Sequence, residues 1–314
     1  MATRKPPRLR PGDTVGVIAP ASPWENRSEI LRAVEALEAW DLQVLLGAHI
    51  DDRHGYFAGT DEDRAEDLHA MFAHPDVRAI FGFQGGYGSP RLIPLLDREL
   101  IAANPKALCG FSDLTTLHLA IAKWSDTITF YSNGASGVGS SEVTDWSKAT
   151  LHRALFTDEP YGEIGPSPDD PYVRTIRGGM ARGRLIGGCA GLVASTLGTP
   201  IEIDARDRIL VLEEIELGTE DFDAVLTHLR NAGVLAAAVG IVVGDVHTKR
   251  TGYISELSTE DVLEELLEPL GIPVLYGLPI GHGKHHATVP LGAMGTLDAD
   301  AGTLIVEEVV TADR

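Results

Sequence analysis

The 314-residue chain is 44% hydrophobic and 23% charged, enough for one large domain or two ordinary ones with real cores, and two are expected. Its 46 acidic against 26 basic residues give a formal charge of −20, and with no basic cluster this argues against nucleic acid or an anionic membrane surface as a partner. Only Cys109 and Cys189 occur, each in an apolar or glycine-rich run, and the basic start, Met1 to Arg10, leads into Pro11-Gly12-Asp13 with no apolar signal core; no disulfide framework, no membrane span of the usual roughly 18 apolar residues and a cytoplasmic location are therefore expected.

Val15 to Pro20 reads as a first buried strand, followed by a loop through Ser22, Pro23 and Trp24 and a helix carrying Ile30, Leu31, Val34, Leu37 and Trp40 at helical spacing. Gln43 to Leu46 is a second strand, Asp61 to His74 an amphipathic helix, and Val77 to Phe83 a third strand. This alternation predicts a doubly wound α/β layer. The third strand runs into Gln84-Gly85-Gly86-Tyr87-Gly88-Ser89 and a helix from Pro90 to Leu96; glycines there let the loop present N–H groups to a ligand, although it lacks the Gly-Lys-Ser/Thr ending of a phosphate loop.

The stretch from Lys106 to Leu119 carries the strongest chemical signal. A short apolar run stops at Gly110, Ser112 follows two residues on, and a helical pattern starts at once, which sets Ser112 on a strand-to-helix turn. Such a turn exposes a nucleophile beside the unsatisfied first N–H groups of the helix, which can hold an oxyanion. The plainer alternative is that Ser112 or Asp113 only caps the helix, since Gly-x-Ser-Asp lacks the second glycine of the usual nucleophile elbow.

Beyond it, Thr127 to Tyr131 reads as a strand, Ser132 to Thr144 as a mobile Gly/Ser-rich loop near the site, Trp146 to Phe156 as a helix, and Thr157 to Arg174, dense in Pro, Asp and Gly, as a crossover between domains. The second half shows Arg184 to Cys189 leading into a helix from Ala190 to Leu197, the apolar strand Ile209 to Leu212 ending in Glu213, Glu214 and Glu216, a helix through Phe222, Val225, Leu226 and Leu229, a strand Val239 to Val243 ending in Gly244-Asp245, a helix Val262 to Leu267, and β-prone segments from Pro273 onward. The boundaries that follow are an N-terminal α/β domain over 1–156, a linker over 157–176, and a C-terminal α/β to mostly-β domain over 177–314.

An activated serine needs a base and an acid to orient it. His69, His118, His152 and His228 fall within expected helices, where packed or solvated roles are the rule, whereas His282 sits in a glycine-flanked loop, Gly281-His282-Gly283, that can present an imidazole to a cleft. Glu213, at the end of a buried apolar strand, is the best-placed acid; Asp245 is its rival, and Glu214 and Glu216 read as solvated edge residues. A metal held by His282, His285 and His286 is the weaker alternative, since no cysteine or carboxylate lies beside them in sequence.

The ordered set Ile18-Ala19-Pro20-Ala21-Ser22-Pro23, Phe57-Ala58-Gly59-Thr60 with Arg64 and Asp67-Leu68, Gly85-Gly86-Tyr87-Gly88 with Arg91-Leu92, Gly110-Phe111-Ser112-Asp113, Gly187-Gly188, Gly198-Thr199-Pro200, Ile209 to Glu213, Ala232 to Leu235, and Gly281-His282 with Pro290-Leu291-Gly292 resembles the LD-carboxypeptidase family of serine peptidases, which includes the microcin C immunity peptidases. The resemblance implies Ser112 as nucleophile, His282 as general base and Glu213 as the acid that orients it, with backbone N–H groups of Gly86 (or its neighbour Gly85) and Asp113 as oxyanion donors. Gln84, Gly85, Tyr87 and Tyr131 are the residues expected around the substrate. It implies a two-domain enzyme with its site in the cleft between domains, a homodimer, no metal and no cofactor. Family members release a C-terminal D-residue from murein tetrapeptide or cleave the amide joining an amino acid or peptide to a nucleotide-like antibiotic, so a small peptide or an aminoacyl-nucleotide is the expected substrate. The chain departs at two places: Gln84 stands where the family usually has arginine, and Cys189 where it usually has asparagine. A silent binding protein of the same fold is the remaining reading, and the presence of all three triad residue types argues against it.

Overall fold

The computed structural model describes residues 3–169, 172–248 and 257–313; Met1 and Ala2 of the basic start and Asp170 and Pro171 of the expected crossover lie outside them. The chain forms two compact units. The first comprises Met1–Glu159, Thr288–Gly292 and Val309–Arg314, the second Pro160–Ala287 and Ala293–Glu308.

The first unit runs β1 (Thr14–Ile18), α1 (Ser28–Glu38), β2 (Gln43–Leu46), α2 (Asp61–Ala73), β3 (Val77–Gly82), α3 (Ser89–Leu92), α4 (Arg98–Ala103), β4 (Ala107–Gly110), α5 (Thr115–Ser125), β5 (Thr129–Tyr131), α6 (Ala135–Gly139) and α7 (Asp145–Phe156). Val15, Val17, Ile18, Val77, Ala79, Ile80 and Phe81 are all wholly buried, as a parallel sheet covered on both faces demands. Strands β2, β1, β3, β4 and β5 pair in that order, all parallel. The sixth strand comes from far along the chain: Val289–Leu291 lies antiparallel on β5. The sheet is therefore mixed at one edge rather than wholly parallel. Because β1 connects outward to β2 on one side and to β3 on the other, the crevice beyond the carboxyl ends of β1 and β3 is the topological switch point, where open α/β sheets place their ligands.

Helix α2 starts on a reciprocal cap: the Thr60 side chain accepts the Asp63 N–H while the Asp63 carboxylate accepts the Thr60 N–H, satisfying two otherwise orphaned donors. From its first turn Arg64, 1% exposed, pairs with Asp61 and donates 2.7 Å to the Pro20 carbonyl, so a buried cation holds the loop that leaves β1. The Ser132–Thr144 segment is not the mobile loop expected. Ser132, Asn133 and Ala135 are buried, and α6 packs so closely on α1 that a Cβ at Gly139 would lie 2.6 Å from the Ala33 amide. Small residues there serve packing rather than mobility.

The second unit runs β6 (Gly162–Ile164), β7 (Arg174–Arg177), β8 (Met180–Cys189), α8 (Ala190–Ser195), β9 (Arg208–Ile215), α9 (Thr219–Asn231), α10 (Val234–Ala237), β10 (Gly240–His247), α11 (Thr259–Leu267) and β11 (Val274–Tyr276), then, after β12 (the strand Val289–Leu291), β13 (Met294–Asp298) and β14 (Thr303–Val306). Among the described residues its eight strands stand in the order β6-β14-β13-β8-β9-β10-β11-β7, parallel from β8 to β11 and antiparallel beyond. Within the expected linker over 157–176 the structure places β6 and the first three residues of β7. The C-terminal domain expected over 177–314 likewise yields Thr288–Gly292 and its last residues to the first unit. Among the described residues no helix is long and apolar enough to cross a membrane.

Candidate active site

The carboxyl ends of β1, β3 and β4 bring three loops together in the first unit. Phe111 leaves β4 extended, and Ser112 then takes φ +60°, a left-handed conformation that costs a non-glycine residue roughly 1–2 kcal/mol. A 3₁₀ turn over Ser112–Leu114 leads directly into α5. The turn is tied down on both sides: Thr115 Oγ1 donates 2.7 Å to the Ser112 carbonyl, and the Ser112 amide donates 3.1 Å to the Tyr131 hydroxyl. Strain of this kind persists only where the surroundings over-determine it. The simple cap reading finds no support, because neither the Ser112–Leu114 turn nor α5 has a side-chain cap hydrogen bond.

The Gln84–Gly88 loop lies against this turn. A Cβ at Gly85 would stand 2.9 Å from Ser112 Cβ and 3.2 Å from Ser112 Oγ, so only glycine lets the loop backbone approach the hydroxyl. We expect Gly85→Ala to lower turnover about 10- to 100-fold by displacing Ser112, with a melting temperature close to the parent's; an unchanged rate would show that the contact is inconsequential. Gly86 has φ +104°, and the Ser22 side chain braces the loop, its hydroxyl accepting the Tyr87 N–H while the Ser22 N–H donates to Gly85 O. Asp113 is buried, its carboxylate accepting the Ser89 N–H at 2.7 Å. Burial pushes that carboxyl upward against the opposing hydrogen bonds from Ser89 and Gly88 and the nearby Arg64.

Two of the residues expected around the substrate have partners within the first unit. Tyr131 is wholly buried with its hydroxyl on the Ser112 amide, so it supports the turn and does not face a ligand. Gln84 donates through Nε2 to the Pro23 carbonyl at 2.6 Å, which makes it a brace between two loops. Tyr87, 65% exposed, is free to contact solvent or ligand.

In the second unit Glu213 follows the apolar run Ile209 to Leu212 of β9 and is itself wholly buried. Its Oε2 lies 2.7 Å from His282 Nδ1. A carboxylate oxygen only accepts, so Nδ1 carries the proton and Nε2 is left as the basic nitrogen. A Cβ at Gly281, where φ is +121°, would come within 2.5 Å of Glu213 Oε2; glycine is what admits the carboxylate to the ring. Asp245, the rival acid, bonds the loop instead of the ring, its Oδ2 accepting the Gly283 N–H at 3.1 Å.

Burial raises the Asp245 carboxyl from 3.8 to about 6. A raised carboxyl favours the neutral form in the fold, so the stability it contributes is complete below pH 4 and is lost as pH climbs through about 6. Asp245→Asn keeps an acceptor for Gly283 and removes that loss. Thermal melts should therefore show the variant above the parent at pH 7.5 and level with it at pH 4; a constant difference across pH would contradict the assignment.

Glu214 is not the solvated edge residue expected. It is 4% exposed and accepts the Gly191 N–H at 2.8 Å, at the start of α8, and the Ile215 N–H at 2.9 Å. Alternation along β9 turns it away from Glu213, but that face is covered too, and the helix start supplies the donors. Cys189, buried with its thiol pushed up chiefly by burial, lies 3.5 Å from Glu214 Oε1. Glu216 is exposed as expected.

The three histidines of the metal reading have different partners, although His282 lies near enough to His286 to help lower its imidazole. His285 Nε2 lies 3.0 Å from Asp169, which also pairs with Lys284, and His286 is deeply buried with its imidazole pushed down to about 3. Among the described residues the set with metal-ligand spacing is instead His49, Asp52 and Asp63, whose ligand atoms fall within 4.8 Å of one another; His49 there forms a 2.7 Å ion pair with Asp52. Beside the His282 loop the second unit also holds a cavity of about 400 Å³ lined by Tyr172, Asp245, His247, Tyr276 and Lys284.

The profile of the LD-carboxypeptidase N-terminal domain matches residues 15–132, and that of the LD-carboxypeptidase C-terminal domain matches residues 182–297. A probable murein peptide carboxypeptidase of Bacillus subtilis is 38% identical over 315 residues, 98% of this chain and 95% of that relative. A murein tetrapeptide carboxypeptidase of Pseudomonas aeruginosa is 30% identical over 91% of this chain and 93% of its own. Among solved structures, an MccF-like protein of Bacillus anthracis superposes with a TM-score of 0.88 at 26% identity, covering 96% of this chain and 99% of that one. Fold and relatives together define a two-domain α/β hydrolase of the peptidase kind. The chain belongs to the LD-carboxypeptidase family and carries both of its domains.

Proposed function

We propose that the protein is a serine L,D-carboxypeptidase acting on murein-type tetrapeptides. The observation that carries the reading is the Glu213–His282 hydrogen bond, which leaves Nε2 as a base. In this reading His282 Nε2 takes the Ser112 Oγ proton as the oxygen attacks the carbonyl carbon of the bond between an L- and a D-residue. The oxyanion that forms is held by the Gly86 and Asp113 N–H groups. His282 then returns the proton to the leaving amine, the D-amino acid departs, and a water deprotonated by the same nitrogen hydrolyses the acyl-enzyme. Glu213 keeps Nδ1 protonated and stabilises the imidazolium. Likeness to the two murein peptide relatives favours this substrate, and a cytoplasmic homodimer taking part in peptidoglycan recycling completes the reading.

A second reading, an immunity-type amidase on aminoacyl-nucleotides, is favoured by the likeness to the MccF-like protein and by exposed Tyr87, whose ring can stack on a base. Of the other aromatic residues that could stack, Trp24 is already covered by the Arg53 guanidinium at 4.3 Å and Tyr131 is buried. Mass spectrometry of the protein incubated in parallel with murein tetrapeptide and an aminoacyl-sulfamoyl adenosine separates the two. D-Alanine release alone supports the first reading and nucleotide-amide cleavage alone the second; inertness toward both would overturn the pair.

A further inference from the structure

We propose that Tyr131 and His118 are positioning residues that hold Ser112 in its strained conformation, an inference that rests on Ser112 being the nucleophile. Strand β5 pairs with β4 so that Tyr131 stands beside Gly110. Thr129 and Tyr131, two apart on β5, share one face, and that face meets both the Ser112 turn and the His118 ring of α5. The Tyr131 hydroxyl accepts the Ser112 N–H at 3.1 Å. His118 Nε2 lies 2.8 Å from the Gly110 carbonyl and Nδ1 2.8 Å from Thr129 Oγ1.

Those partners set the tautomer. A carbonyl oxygen only accepts, so Nε2 bears the proton, and Thr129 donates its hydroxyl hydrogen to Nδ1. The ring is wholly enclosed, and burial pushes it down to about 4, so it stays neutral wherever the enzyme would work. The Gly110 carbonyl also accepts the Ser132 N–H at 3.1 Å. Both ends of the link from Gly110 to Ser112 are therefore gripped from behind by side chains, the neutral His118 ring at one and the Tyr131 hydroxyl at the other. The Tyr131 ring meets Phe111 and His118 edge-on, at 6.1 and 5.8 Å between centroids, which leaves its hydroxyl little freedom. Occupation of the Ser112 N–H by Tyr131 also separates duties, since oxyanion stabilisation is left to other amides of the turn and the glycine loop.

The test compares the parent with Tyr131→Phe, His118→Leu and His118→Gln, by crystal structures and by steady-state D-alanine release from murein tetrapeptide. Tyr131→Phe and His118→Leu should move Ser112 away from φ +60° and lower kcat about 30-fold, with KM within about twofold. His118→Gln, which keeps a donor near the place of Nε2, should recover at least about fivefold over His118→Leu. Retention of the Ser112 conformation, an unchanged kcat in Tyr131→Phe, or equal rates for the Gln and Leu variants would each overturn the proposal. Tyr131→Phe removes one oxygen from a packed ring, so it decides the matter if His118→Leu fails to fold. A parent chain inert on the peptide would sink the functional reading separately, and the Ser112 conformation in the variants would still decide this one.

Discussion

Ser112→Ala should reduce peptide turnover at least ~10⁴-fold while leaving the melting temperature within a few degrees of the parent. The loss follows because the neighbouring hydroxyls serve the turn itself, Thr115 Oγ1 donating to the Ser112 carbonyl and the Tyr131 hydroxyl accepting the Ser112 N–H. The preserved fold follows from what alanine keeps. It retains Cβ, so the left-handed backbone at φ +60° is no more strained than before, and the ties from Thr115 to the carbonyl and from the amide to Tyr131 are made by the main chain of residue 112. Product release by mass spectrometry together with a thermal melt checks both halves. Normal turnover would remove Ser112 from the mechanism; a collapsed melt would show that the hydroxyl itself is structural.

Glu213→Gln should cost about 10³- to 10⁴-fold in kcat with a smaller effect on KM. The amide is nearly isosteric, so the packing around a wholly buried side chain is preserved. It carries no charge to stabilise the imidazolium, and its NH₂ facing Nδ1 would invert the tautomer and leave Nε2 protonated at rest. Removing a buried ionised carboxylate also lifts a desolvation cost, so the variant should be no less stable than the parent. A loss of stability matching the loss of rate would mark Glu213 as a core element, and a rate near the parent's would exclude it as the orienting acid. Asp245→Asn under the same assay separates the rivals: Asp245 bonds the Gly283 backbone, not the ring, and its replacement should leave kcat within about tenfold.

Much of this was legible in the residues. Strands such as Val77–Gly82, apolar but for Arg78, and Ile209 to Leu212 read as strands because both faces of a parallel sheet are covered, and the glycine-flanked His282 and strand-end Glu213 that stand out in the sequence are hydrogen-bonded to each other. What stayed hidden depends on pairing between distant segments. Val289–Leu291 contains a proline and only three residues, and nothing local marks it as a strand until β5 presents an edge to it; proline is tolerated at such an edge. The four residues of Arg174–Arg177 are hidden in the same way, with a single buried side chain among them. Glu214 was misread because its acceptors' donors come from Gly191, 23 positions away, and Tyr131 because its phenol meets a backbone amide 19 residues earlier. The Gly/Ser composition of Ser132–Thr144 suggested motion, whereas small side chains there let a short helix press on α1.

Completion of the first unit waits on Thr288–Gly292 and Val309–Arg314, which lie far along the chain from the rest of it. Its sheet edge at β5 is covered by Val289–Leu291, the Pro6 carbonyl accepts the Ala312 N–H, and Arg8 pairs with Asp313, so the segment that finishes this unit leaves the ribosome more than 120 residues after Glu159. During that interval the nascent first unit holds an unpaired strand edge, open to pairing with another chain. Nascent chains stalled before Thr288 would thus carry the Ser112 turn on a sheet still lacking its sixth strand.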